Sequence, residues 1–368
     1  MLRRATGCTL GGATSVEDVR VALLHPYSWP ATRRGGERYV HDLARWLRGR
    51  GHEVTFVTGG GTDDPCAVRI PIREPALDTF GASVLPHLLQ NRYDVVHALV
   101  PSAALASVAT LQPSAYTVLG HPSPANLPQP RWRRELFVRA VRTTRSPMAL
   151  SASAADGAEG VAGRRPLVVP PGVFCSEFPA RTAAPAGPPS LLFNAYAEDP
   201  RKRLDTLLAA LPLLLADHPG LTLRLGGGGD PTAALDRLDP GVRRDVEPAV
   251  VQLGTGELSD VPGRYREATV TVLPSVDEAF GLVLVESLAS GTPVVCSRSG
   301  GMPEIVDDER IGSVVSPESP EALAAGIRAA LALAEQPETA RRCAAHARRW
   351  DWDAVGPLHE QAYARARG

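Results

Sequence analysis

Short apolar runs rich in Val, Leu and Ile recur along this chain between longer amphipathic segments, and after residue 190 the whole pattern starts again. Runs of this kind, without polar alternation, read as strands buried on both faces, and the segments between them as the helices that cover those faces. In the first half the strand candidates are Val21 to Leu24, Val54 to Thr58, Val95 to Leu99, Tyr116 to Leu119 and Ala149 to Ser151. In the second they are Leu191 to Phe193, Leu221 to Leu225, Val250 to Leu253, Val270 to Leu273 and Pro293 to Cys296. The clearest helix follows Gly35-Gly36, with Val40, Leu43, Ala44 and Leu47 at helical spacing and a stop at Gly49 to Gly51. Others are expected over Leu204 to Leu215 and Leu282 to Ser290. The segment SEFPARTAAPAGPPS, residues 176–190, has neither periodicity and marks a linker. The expected fold class is therefore α/β, with two Rossmann-like lobes whose ligands lie at the carboxyl ends of parallel strands and in a cleft between them.

At 368 residues with 44% apolar content, the chain is long enough for two cores. Thirty-nine basic residues against 40 acidic ones give no sign of a nucleic-acid binder. The cysteines at 8, 66, 175, 296 and 343 form no C-x-x-C and no Cys/His cluster, so neither a disulfide framework nor a structural zinc site is expected, and a reducing cytoplasm fits. The longest strongly apolar stretch, Leu207 to Ala216, is about half a membrane span and contains Pro212. Residues 1–19 hold Arg3 and Arg4 but no apolar run after them, and read as a loose extension rather than a signal peptide.

Several motifs are excluded. Gly226 to Gly229 follows a strand but runs into Asp230-Pro231, so no G-x-G-x-x-G fingerprint is completed. A Walker A loop needs Gly before Lys, and the chain's one lysine, Lys202, follows Arg201. Gly35-Gly36 sits between a strand and a helix, where bare backbone and free N–H groups suit an anion; a plain turn is the alternative.

The most informative stretch is SVDEAFGLVLVESLASGTPVVCSRSGGMPEI, residues 275–305. Glu278 falls at the end of a strand, Phe280-Gly281 opens a helix, and Glu286 lies on its second turn. Eight positions cover at most about 12 Å of helical rise, which suits two carboxylates gripping separate parts of an extended ligand better than one acid/base pair. N–H groups near Gly281 and Leu282 could receive a phosphate between them. A nucleoside diphosphate sugar has that shape; two solvated glutamates flanking a helix are the other reading.

From Gly35 to Trp352 the chain resembles the family 4 glycosyltransferases. It shares their Glu, seven residues, second Glu and Gly-Gly-x-Pro-Glu turn, here DEAFGLVLVESLASGTPVV followed by GGMPEIV. The resemblance implies the GT-B fold, with parallel sheets facing across a cleft, and retaining, metal-independent transfer from a nucleoside diphosphate sugar to a small-molecule or glycan acceptor. It implies no cofactor beyond that donor substrate and no metal ligands. It divides the chain into the extension 1–19, an acceptor-side lobe 20–175, the linker 176–190, a donor-binding lobe 191–349 and a helix 350–368 that crosses back, with Trp350 and Trp352 as packing anchors. By the same resemblance Glu278 contacts the transferred sugar, the backbone after Phe280, at Gly281 and Leu282, binds the diphosphate, and Glu286 holds the ribose hydroxyls. Gly35 and Gly36 touch the diphosphate from the other lobe.

Lys202 matches the family's lysine on the diphosphate. A compact ammonium suits a narrow phosphate pocket, and every other cation in this chain is Arg. Two departures stand out: Asn194 to Tyr196 occupies the place of the family's Gly-Arg, and Arg203 replaces the glycine after the lysine. Arg201 or Arg203 could supply the second cation. In YTVLGHP, Leu119 holds the place of a frequent family histidine, and His121, two residues on, is either a catalytic candidate or a loop residue. His97 reads as structural. Pro130 to Arg145, with six arginines, could touch anionic lipid or an acidic acceptor, but a solvated face over an apolar stripe is the preferred reading, so a peripheral membrane contact is not favoured. Asp63-Asp64 and Asp307-Asp308 read as surface. A nucleotide-sugar epimerase and a non-catalytic sugar or nucleotide binder remain the alternatives; base, sugar and acceptor stay open.

Overall fold

A computed structural model describes residues 18–123, 130–183 and 185–368. All but two residues of the 1–19 extension therefore lie outside the described residues. The chain divides into two compact units, residues 1–172 with 352–368, and residues 173–351. Residues 176–190 thus belong to the second unit, and the helix Trp352–Arg367 to the first.

The first unit holds seven strands: β1 (Arg20–Leu24), β2 (Glu53–Thr58), β3 (Ala67–Arg69), β4 (Val95–Ala98), β5 (Ser114–Val118), β6 (Ser146–Ala149) and β7 (Leu167–Val168). Every pairing is parallel, in the order β3-β2-β1-β4-β5-β6-β7. The second unit holds β8 (Ser190–Asn194), β9 (Thr222–Gly226), β10 (Val250–Gly254), β11 (Val270–Leu273), β12 (Val294–Ser297) and β13 (Gly312–Val315). These too are all parallel, ordered β10-β9-β8-β11-β12-β13. Both units are Rossmann-like α/β layers.

The central strands β4, β5, β6, β11 and β12 are buried at every position, which is why their sequences show no alternation. The helix Leu204–Leu215 turns Leu207, Leu208, Leu211 and Leu214 inward at helical spacing. Each such leucine contributes about 1.5–3 kcal/mol by leaving water. All ten expected strands are present, with shifts of a few residues at β5 and β6. The three that sequence missed, β3, β7 and β13, are short, lie at sheet edges and leave residues part-exposed, so only brief apolar runs mark them. In each sheet the strand order reverses beside the strand that starts the unit, between β1 and β4 and between β8 and β11. That reversal opens a crevice at the carboxyl ends, where ligands bind in open α/β sheets.

Buried polar groups tie the last helix to the first sheet. Tyr39 Oη and His359 Nε2 are 2.9 Å apart, His97 Nε2 bonds Thr117 Oγ1 at 2.7 Å, and His97 Nδ1 bonds Tyr363 Oη at 2.8 Å. His97 is structural, as its sequence context suggests. Trp352 is fully buried against Tyr39 and Gly172, whereas Trp350 packs on Phe280 and His346 in the second unit. Among the described residues no helix is long and apolar enough to cross a membrane.

Candidate active site

The loops leaving β8 and β11 flank the crevice of the second sheet, and they bring the principal candidates together. After β8 the chain makes a short 3-10 turn, Pro200–Lys202, capped by the Asp199 side chain, which accepts from the Arg201 N–H. Arg203 then stands at φ 52°, ψ 42° and opens the helix Leu204–Leu215. This left-handed conformation explains the glycine usual at that position, since a side chain there costs about 1–2 kcal/mol. Here Arg203 adopts it while its guanidinium pairs with Glu318. Arg201 pairs with Asp199 at 2.7 Å. Burial works to raise the Asp199 carboxyl, but hydrogen bonds from Arg201 hold it below the ordinary range.

Lys202 pairs with Glu278 directly, ammonium to carboxylate. The two loops are also joined through their backbones, because Val276 N–H donates to Arg201 O at 2.8 Å. Glu278 is fixed by the turn after β12. Asp277 N–H donates to Ser299 Oγ at 2.9 Å, and Gly301 N–H to Glu278 O at 2.9 Å. Gly300 stands at φ 58°, and a Cβ there would lie 1.9 Å from Glu278 O. The Gly-Gly pair of GGMPEI is thus a cradle for the backbone of Glu278.

Gly281, at φ 111°, sharpens the entry to the helix Leu282–Ala289, which starts with no side-chain cap. Its first turn therefore presents backbone N–H groups, with the positive end of the helix dipole, beside the Lys202–Glu278 loops. Phe280 is buried against Trp350 and pins that entry. Glu286 lies one turn into the helix and accepts from Tyr265 Oη at 2.7 Å; Tyr265 Oη in turn accepts from Asn194 Nδ2 at 2.7 Å. Sequence reasoning missed Tyr265, although a buried tyrosine hydroxyl needs partners and so points to some polar neighbour.

In the first unit, Gly35 and Gly36 begin the helix Gly35–Gly49 immediately after the β1 loop. A Cβ on Gly36 would lie 3.2 Å from Leu119, so the glycine turn abuts the loop after β5. His121, on that loop, has Nε2 2.9 Å from Ser153 Oγ. Glu278, Lys202, Arg201, Gly281, Leu282 and Glu286 thus share one end of the second sheet, and Gly35, Gly36 and His121 one end of the first. A cavity of about 410 Å³ beside the β8 loop is lined by Glu198, Asp199, Asp205 and Asp230, with Arg237 paired to Asp205. So many carboxylates make it unsuited to a diphosphate.

Two successive family descriptions match the chain, "Glycosyltransferase Family 4" over residues 33–177 and "Glycosyl transferases group 1" over residues 177–350. The chain belongs to the family 4 glycosyltransferases. This family 4 chain is 28% identical to a phosphatidyl-myo-inositol mannosyltransferase of Propionibacterium freudenreichii subsp. shermanii, over 95% of its own length and 98% of the relative's. Its fold is that of GT-B glycosyltransferases. Sucrose-phosphate synthase of Thermosynechococcus elongatus superposes with a TM-score of 0.75 at 24% identity, covering 94% of this chain and 99% of that one. HepE of Anabaena, solved in complex with UDP and glucose, superposes with a TM-score of 0.75 at 18% identity over 94% and 99%.

Proposed function

We propose that this glycosyltransferase takes a sugar from a nucleoside diphosphate sugar, retains its anomeric configuration and needs no divalent metal. The observation that carries the reading is the Lys202–Glu278 pair at the carboxyl-end crevice, beside an uncapped helix start and with Glu286 on the same helix. Breaking the bond between the anomeric carbon and the diphosphate leaves negative charge on phosphate oxygens and positive charge on the sugar ring. Lys202 and the N–H groups from Gly281 onward supply fixed positive potential for the first. The Glu278 carboxylate faces the second, and Glu286 grips the ribose. Charges held in place before the reaction need no reorganisation during it, which is how such groups lower a barrier. The complex of HepE with UDP and glucose supports a donor of this chemical class.

The test is a panel of nucleotides and nucleotide sugars screened by thermal shift, because a ligand of the native state raises its melting temperature. Donors that bind are then incubated with sugar and glycan acceptors in EDTA. A new glycoside with the donor's anomeric configuration, formed alongside free nucleoside diphosphate, is expected. Strict dependence on added magnesium or manganese would overturn metal independence. An altered sugar on the nucleotide, with no glycoside formed, would favour an epimerase.

A further inference from the structure

The site contains a part-buried hydrogen-bonded chain that joins three elements. Asn194 ends β8, Tyr265 lies on the helix Val261–Glu267, and Glu286 lies on the helix Leu282–Ala289. Chemistry fixes the direction of the chain. A carboxylate only accepts, so Tyr265 Oη donates its proton to Glu286 Oε2 and accepts from the Asn194 amide. Each link is 2.7 Å, and Tyr265 is fully buried with its ring against Phe178. Asn194 is held in turn. A Cβ on Gly226, the last residue of β9, would lie 2.5 Å from Asn194 Oδ1, so the glycine makes room for this amide. The helix that carries Tyr265 is anchored on both sides, by Thr292 Oγ1 donating to Tyr265 O at 2.7 Å and by Arg264 Nη1 donating to Gly254 O at 2.7 Å.

We propose that Tyr265, oriented by Asn194, is a positioning residue that sets the carboxylate plane of Glu286 for the ribose hydroxyls of the donor nucleotide. The inference rests on the reading of Glu286 as the ribose ligand. A long, partly exposed glutamate side chain has several rotamers, and each one lost on binding weakens the bound state. A rigid phenol bonded to one carboxylate oxygen removes that freedom before the ligand arrives. In this chain the amide at the end of β8 turns toward the Tyr265 hydroxyl, and through it toward the ribose side of the proposed site.

The experiment compares the affinity of the full chain for a nucleoside diphosphate with that for its 2′,3′-dideoxy form, using the uridine, guanosine and adenosine pairs and taking the base that binds. Hydrogen bonds to a charged group predict a ribo-to-dideoxy preference of about tenfold or more in the parent protein. Glu286→Gln is expected to bring that ratio close to one. Tyr265→Phe keeps the ring and is expected to cut the ratio by about threefold or more, to raise donor KM more than it lowers kcat, and to leave the melting temperature within a few degrees. Asn194→Ala leaves the ring packing untouched and is expected to move the ratio in the same direction by a smaller factor, so a poorly folded Tyr265→Phe does not end the test. If Glu286→Gln lowers the ratio while both other variants keep it, the positioning role is overturned and the ribose reading stands. If Glu286→Gln leaves the ratio unchanged, or the parent shows no preference, the ribose reading fails and takes the inference with it.

Discussion

The ammonium of Lys202 donates to the carboxylate of Glu278 at the point where the second sheet reverses its strand order. Both side chains keep some contact with solvent, at 19% and 23% exposure, and a pair of this kind is worth about 0–1 kcal/mol to the fold. Its importance is positional. Each charge holds the other at the mouth of the crevice, so the cation proposed for the leaving group and the anion proposed for the sugar are set against one another.

Glu278 and Glu286 should separate in function. Glu286→Gln is expected to weaken both the free nucleoside diphosphate and the donor. Glu278→Gln is expected to spare the free nucleotide and to lower turnover with the donor. Calorimetric titration with the nucleotide, alongside steady-state kinetics, checks this. An equal loss of nucleotide affinity in both variants contradicts the assignment.

Gly300→Ala tests the cradle beneath Glu278. The added methyl would lie 1.9 Å from a backbone oxygen, so the peptide of Glu278 must move. Overpacking of this kind costs about 1–3 kcal/mol in stability. A displaced Glu278 is expected to lower kcat by about tenfold or more, beyond what the drop in melting temperature explains. Measuring kcat well below the variant's melting temperature separates the two effects. Normal turnover there contradicts the role given to the turn.

Acid should loosen the first unit before it reaches the carboxylates. Burial lowers His97 from 6.5 to about 3 and His359 to about 4. A folded pKa below the unfolded one means that the unfolded chain takes up the extra proton. Stability is therefore fully present above about pH 6.5, and falls as pH drops toward the folded values. Each histidine contributes a slope approaching about 1.4 kcal/mol per pH unit in that window. Urea unfolding at intervals between pH 7.5 and 5 measures it, and a flat profile contradicts burial of neutral rings.

Much of this was legible in the sequence because buried parallel strands leave an unmistakable pattern, as at Val270 to Leu273, and because the Glu278 to Glu286 spacing is carried within one loop and helix. Other features were hidden by being nonlocal. Nothing near Lys202 in sequence announces Glu278, which is 76 positions away, and only the pairing of β8 with β11 brings their loops together. Tyr265 looks like any aromatic on a short helix until Asn194 and Glu286 are seen on its hydroxyl. Arg203 is a candidate second cation by its charge, and the structure adds what its sequence does not show: a left-handed backbone and a pairing with Glu318. The linker expected over residues 176–190 rests on composition, and contacts place that segment with the second compact unit.

The central claim is that Lys202, the ion-pair partner of Glu278, is the main side-chain cation on the donor diphosphate. The most direct measurement is kcat and KM of Lys202→Ala and Lys202→Arg in EDTA, each beside its melting temperature. Loss of one preorganised charge contact costs about 3 kcal/mol of barrier, so Lys202→Ala is expected to turn over on the order of a hundredfold more slowly while staying folded. Lys202→Arg is expected to recover only part of that, because a planar guanidinium cannot occupy the point an ammonium fills. Near-normal turnover in folded Lys202→Ala would contradict the account, and would transfer the role to Arg201, the neighbouring cation that Asp199 holds at the same crevice.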